Sequence, residues 1–193
     1  MQTLATYRKH IVAAFCGVLM AIFAGTAALA QQNATEKQMD GWFAELADPA
    51  NDHWQRALTD IQREWSKSGS PAFDLLLQRG QDAMETGDLQ AAIEHLTALT
   101  DLDPGFAEGW NARATAYYLA GYYGPSLSDI RHVLALNPRH FGALAGLGLI
   151  LQDTGHKDKA IKAFKASLAI HPHQDSIRQA LEELEKEASG SEL

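Results

Sequence analysis

Cysteine is almost absent from this 193-residue chain, which has a single one, Cys16, and none after it. A disulfide-stapled small fold and a cysteine-ligated metal site are therefore excluded for everything downstream, and that part must be held by packing. Basic residues are also in short supply. Sixteen Lys and Arg against 24 Asp and Glu give a net charge of −8, whereas a broad nucleic-acid surface needs a surplus of cations to neutralise phosphates. With 6 prolines and 15 glycines, collagen and Pro/Gly-rich low complexity are ruled out as well. Nucleophile patterns are missing too: there is no G-x-S-x-G elbow and no S-x-x-K with partner motifs. What remains, 46% hydrophobic and 21% charged, is ordinary globular composition for one domain with appendages.

The first thirty residues are chemically distinct. Arg8 and Lys9 precede the uncharged stretch 11–30, which closes on Ala28-Leu29-Ala30 before Gln31-Gln32. Basic, apolar and small-residue zones in that order predict a cleavable signal peptide, with cleavage after Ala30 and export to the periplasm or beyond. The alternative is retention as an N-terminal anchor in the inner membrane, because 20 uncharged residues just span a bilayer. Cys16 follows Phe15, where a lipoprotein signal needs a small residue. Removing 1–30 takes two of the 16 basic residues and none of the 24 acidic ones, leaving a net charge of −10. After cleavage no membrane insertion is expected.

Self-similarity dominates the remainder. Pro104, Pro138 and Pro172 share one interval of 34 residues, and Gly87, Gly121 and Gly155 keep the same interval. Around them, Leu76, Ala83, Ala92, Leu96 and Leu102 are apolar at helical spacing, as are Trp110, Tyr117, Ile130 and Leu136, then Leu144, Leu151, Ala160, Phe164 and Ile170. Each unit reads as a helical hairpin with Gly in its turn and Pro at its exit. Small residues recur at Gly80, Ala114 and Gly148, and at Ala92, Ser126 and Ala160, where two helices must approach closely. A lone hairpin cannot bury its apolar face, so the units must stack.

With Trp110, Ala114, Tyr117, Ser126 and Pro138 as its best unit, the chain resembles the tetratricopeptide repeat (TPR) family. It departs from the family pattern at Leu99 and Val133, late in the second helix where a small residue is preferred, with Ser167 at that offset in the third unit. The resemblance implies an all-α fold: an α-solenoid of three TPR hairpins at 73–106, 107–140 and 141–174. A degenerate N-terminal hairpin, about 37–67, is expected to pack on the first repeat within an extension and linker spanning 31–72. The amphipathic stretch starting at Asp175 supplies a C-terminal capping helix and tail over 175–193.

The resemblance further implies protein binding along a concave groove lined by the first helix of each unit. The groove offsets are Asp74, Leu77, Gln81 and Met84, then Glu108, Asn111, Thr115 and Tyr118, then Gly142, Ala145, Leu149 and Gln152. Of these, Leu77, Gln81, Met84, Asn111, Thr115, Tyr118, Leu149 and Gln152 are the candidate binding residues. Family members that clamp a C-terminal carboxylate use Lys, Asn and Arg at offsets that are here Leu77, Gln81, Ala112, Gly142 and Gly146, of which only Gln81 could stand in, so such a clamp is not expected. The implied activity is a non-catalytic adaptor or scaffold for a protein or peptide partner, with no nucleic acid and no cofactor. An alternative is a homo-oligomerising module of an envelope complex. His140 and His171 fall in equivalent turns, but no ligand set completes a metal site, and solvated turn histidines are expected. Asp129 with His132, and Glu182 with Glu185, read as solvated helical pairs. The glycine-rich run from Gly142 to Gly148 follows no strand and has no G-K-[ST], so helix packing explains it.

Overall fold

The computed structural model describes residues 35–190, all of whose regular structure is helical. The leading segment 1–30 and its cleavage site lie outside the described residues. Chain contacts divide the molecule into Met1–Trp42 and Phe43–Leu193. Helix α1 (35–47) belongs to the second unit from Phe43 onward. The other eight helices are α2 (Trp54–Trp65), α3 (Pro71–Glu85), α4 (Leu89–Leu102), α5 (Ala107–Leu119), α6 (Tyr123–Leu136), α7 (Phe141–Asp153), α8 (Lys157–Ile170) and α9 (Asp175–Gly190).

The 34-residue interval has a direct backbone cause. Gly87, Gly121 and Gly155 adopt φ of +79°, +76° and +78°, the left-handed conformation that ends a helix without a Cβ penalty. At each one the same pair of bonds closes the helix. Gly87 N–H donates to Met84 O (3.1 Å) and Asp88 N–H to Ala83 O (2.9 Å), repeated by Gly121 with Tyr122 and by Gly155 with His156. The exits are equally uniform: Asp103, Asn137 and His171, each before a proline, have φ of −133°, −136° and −133° with extended ψ, because a proline ring excludes the helical region from the residue ahead of it.

Within the hairpins, α3 packs on α4, α5 on α6 and α7 on α8, and α4, α6 and α8 each contact the helix that follows. The core is therefore serial. One cluster joins Leu77, Leu96 and Leu99 to Phe106, Ala112 and Ala116. The next joins Ala114, Ile130 and Val133 to Ala143 and Ile150. The last joins Ala145, Ala160 and Phe164 to Ile177, Leu181 and Leu184 of α9, whose remaining residues are largely exposed. Lys157–Glu187 (2.8 Å) and Lys165–Glu185 (2.6 Å) pin α9 to α8 at the surface, so Glu185 is paired across helices.

Two expectations are corrected here. Asp129 is not solvated: it is 3% exposed and receives Arg113 through two bonds, Nε to Oδ2 at 2.7 Å and Nη2 to Oδ1 at 2.9 Å. Nη1 of the same guanidinium donates to Thr100 Oγ1 at 2.7 Å, so one side chain links α4, α5 and α6. Nor do the aromatic side chains of the N-terminal hairpin seek the first repeat. Trp54 stacks on His173 (4.6 Å between ring centres), Trp65 stacks on His140 (4.3 Å), and the Arg139 guanidinium lies over Phe43 (4.2 Å). In the first repeat Leu77, Leu96 and Leu99 pack with Phe106, Ala112 and Ala116, while the turns after α6 and α8 present flat rings that receive the tryptophans.

Helix α7 carries glycines with opposite roles. A Cβ on Gly148 would lie 2.3 Å from the buried Phe164 ring, whereas one on Gly146 meets only Ile130 Cδ1 at 3.7 Å. Gly148→Ala is expected to lower the urea-unfolding free energy by about 1–3 kcal/mol through overpacking. Gly146→Ala is expected to raise it by about 0.5–1 kcal/mol through helix propensity. Urea titrations of the two variants followed by circular dichroism check the opposite signs.

Candidate functional site

The first helices α3, α5 and α7 lie side by side, with contacts from α3 to α5 and from α5 to α7. Between α5 and α7 the sequence places little bulk: Ala114 and Thr115 on one side, Gly142, Ala145 and Gly146 on the other. The result is an apolar cleft of about 290 Å³ with Ile130 and Ile150 in its lining and Tyr118, Leu119 and Leu149 around it.

Tyr118 is fixed in this cleft. Its hydroxyl donates to Asp153 Oδ2 at 3.0 Å, Tyr123 donates to the same oxygen at 3.2 Å, and the two rings stack at 5.8 Å. Burial, then the Asp153 carboxylate, pushes the Tyr118 hydroxyl above its ordinary pKa. It is therefore a neutral donor and a rigid wall.

A second cavity, about 320 Å³, adjoins the first and shares Asn111 and Gly142 with it. This one is polar and composite. Gln62, Trp65 and Ser66 come from α2, Gln81 from α3, Glu108 and Asn111 from α5, and His140 and Phe141 from the start of α7. Ala143 N–H donates to His140 Nδ1 at 3.1 Å, capping α7. That acceptor role places the ring hydrogen on Nε2, which lies 3.0 Å from Glu108 Oε2 as its donor. The other oxygen, Oε1, accepts from Asn111 Nδ2 at 3.1 Å.

Of the residues expected in the groove, Asn111, Thr115, Tyr118 and Leu149 meet in the apolar cleft, and Gln81 joins Asn111 in the polar cavity. Leu77 does not line the groove. It is 3% exposed and belongs to the first core cluster, because Ala112 and Ala116 leave a hollow on α5 for a bulky neighbour. Met84 is half-buried against the same cluster, and Gln152 lines neither cavity. Asp74 ties the linker instead, accepting from Ser68 N–H at 2.8 Å and from Ser68 Oγ at 2.6 Å. The two Ser68 bonds, hydroxyl first, hold its carboxyl below the usual range. Sequence spacing missed Trp65 and His140 as site residues, since neither lies on a groove offset.

Comparison with known proteins agrees with this geometry. Models described as "Tetratricopeptide repeat" match residues 77–124 and 141–174. A TPR repeat-containing protein of Rhizobium etli is 35% identical over 167 residues, 83% of this chain and 81% of the relative. The chain belongs to the tetratricopeptide repeat family. Solved TPR structures share the fold. The first TPR of Spaghetti (RPAP3) bound to an HSP90 peptide, SRMEEVD, superimposes with a TM-score of 0.58 at 22% identity, covering 60% of this chain and 91% of that one. The crystal structure of MamA protein gives 0.56 at 22% identity, covering 81% and 76%. Relative to the TPR carboxylate-clamp offsets, Leu77 and Ala112 are buried here, while Gln81, Gly142 and Gly146 line the two cavities without a cation.

The turn histidines are buried, against expectation: His140 is 3% and His171 5% exposed. Rings from α2 and α7 cover His171, with Phe141 edge-on at 5.0 Å and Trp54 at 5.4 Å, and its Nδ1 has no hydrogen-bond partner. Burial, then the neighbouring His173, lowers its pKa from 6.5 to about 4. Between those values the unfolded chain binds a proton at this ring that the folded chain does not, so its contribution is full above pH 6.5 and is lost as pH falls towards 4. Relative to a His171→Phe variant, the wild type should lose about 2 kcal/mol more stability on going from pH 7.5 to pH 4.5. Parallel urea-stability profiles for the two proteins across that window would refute the assignment.

Proposed function

We propose that this TPR protein is an exported, periplasmic, non-catalytic adaptor that holds a segment of a partner protein in the α5–α7 cleft. The observation that carries the reading is the cleft itself: an apolar hollow walled by a pinned tyrosine, with Gly142 and Gly146 giving close access to the α7 backbone. The solved TPR neighbour holding an HSP90 peptide supports peptide recognition as the use of such a surface. The signal-like segment 1–30 supports the location.

The hydroxyls that line the two cavities argue for binding over chemistry. Ser126 Oγ donates to Ala114 O (2.7 Å), Thr115 Oγ1 to Asn111 O (3.0 Å) and Ser66 Oγ to Gln62 O (2.8 Å). Each of these three is spent on a backbone carbonyl, the Tyr118 hydroxyl is spent on Asp153, and both nitrogens of His140 are occupied, so none of these serine or threonine hydroxyls is paired with the histidine as a nucleophile would be.

Filling the cleft tests the reading. A photo-crosslinking residue at position 119, on the exposed rim, is expected to yield discrete adducts in intact cells. The additional change Gly146→Leu should reduce them on the order of tenfold while leaving the helical signal intact. Undiminished adducts in a folded Gly146→Leu protein would exclude the cleft as the binding surface. Mature protein from the periplasmic fraction should begin at Gln31.

A further inference from the structure

The polar cavity specifies the charge of the partner segment, an inference that rests on the cleft reading above. Glu108 is the only charged residue lining either cavity; no Lys or Arg among the described residues does so. Its side chain is 15% exposed, so its charge is largely withdrawn from water. Neither of its hydrogen-bond partners is a lysine or an arginine. Asn111 is an amide, and His140 accepts from Ala143 N–H at Nδ1 while its Nε2 faces Glu108. A carboxylate in this position has hydrogen bonds but no lysine or arginine countercharge, and a partly buried charge is costly until one is supplied.

The surroundings are made of groups that accept from a cation. Gln62, Gln81 and Asn111 line the cavity with side-chain amides, whose oxygens can accept, and Ser66 lines it with a hydroxyl. About 320 Å³ is ample for an ammonium or guanidinium head. The cavity also abuts the apolar cleft, sharing Asn111 and Gly142, so neighbouring side chains on one face of a bound segment reach both.

We propose that the composite cavity formed by Gln62 and Trp65 of the N-terminal hairpin with Gln81, Glu108 and Asn111 of the repeats receives the cationic side chain of a lysine or arginine in the partner segment, while an adjacent aliphatic side chain fills the α5–α7 cleft. The selectivity is the reverse of an acidic-tail clamp, since the fixed charge belongs to the protein and the cation to the ligand.

Fluorescence anisotropy on the full-length chain tests this with four labelled twelve-residue peptides that share one Leu and carry Lys, Arg, Gln or Glu two positions after it. The Lys and Arg peptides are expected to bind on the order of tenfold tighter than the Gln peptide, and the Glu peptide weakest. Glu108→Gln, which removes the charge and keeps one acceptor oxygen for either His140 or Asn111, should erase the preference while retaining Leu-dependent binding. Gln81→Lys, which supplies a resident cation, should do the same. Equal binding of the Lys, Arg and Gln peptides, or a preference that survives Glu108→Gln, overturns the proposal. Loss of the charge preference alone leaves the cleft reading standing, whereas Leu-dependent binding that persists in Gly146→Leu defeats the cleft reading itself. Preference for Lys over Arg, or the reverse, identifies which head group the cavity fits.

Discussion

Each of the three repeat hairpins rests on a close approach between its two helices at one fixed register. Gly80 faces Leu96 and Gly148 faces Phe164 with no room for a Cβ, and Ala114 with Ile130 occupies the same offsets in the middle unit and shares one cluster. Large residues on the second helix fill hollows left by small ones on the first, which fixes how deeply the pair interlocks. Glycines on α7 play two parts: Gly148 admits the Phe164 ring of α8, where the space is filled, while Gly142 and Gly146 line the cleft that α7 shares with α5.

Apolar packing alone does not fix one hairpin against the next. Arg113 spans three helices through Asp129 and Thr100, and its guanidinium also lies 4.8 Å above the Trp110 ring. Ser167 Oγ donates to Phe141 O across α8 and α7 at 2.8 Å. Buried bonds of this kind add modest net stability yet cost heavily when a partner is misplaced. They therefore penalise a slipped register more than they reward the correct one. Ser167 is fully buried, and its polar group is tolerated there because it reaches a helical carbonyl.

The 34-residue interval was legible because its causes are local. A left-handed glycine and a proline after an extended residue impose the same geometry wherever they occur, and helical periodicity follows from which face is buried. Asn111, Thr115, Tyr118 and Leu149 were legible for the same reason, as offsets on helices whose orientation the repeat dictates. Leu77 was not, since its side depends on the alanines opposite it, Ala112 and Ala116, more than on its own position. The docking site of the N-terminal hairpin escaped prediction for a different reason. Its tryptophans dock on His140, His171 and His173, rings carried by turns far along the chain, and no periodic signal links an aromatic residue to a distant turn. Asp129 looked like an exposed helical pair because its true partner lies on the preceding helix.

That docking changes what the repeats can recognise. Three hairpins alone would offer a cleft able to hold many apolar side chains with little discrimination, because a hydrophobic hollow distinguishes shapes only weakly. The hairpin closes one end with Trp65 and Gln62 beside Glu108, converting an open groove into two adjoining compartments of opposite polarity. Both are preorganised. Asp153 holds Tyr118, Ala143 N–H and Glu108 hold His140, and Trp65 lies flat on the imidazole. Little side-chain freedom remains to be lost when a segment enters, so the binding free energy is available for discrimination. A segment must then satisfy an apolar and a polar compartment at a fixed spacing, a condition set jointly by the repeat register and by an element outside the repeats.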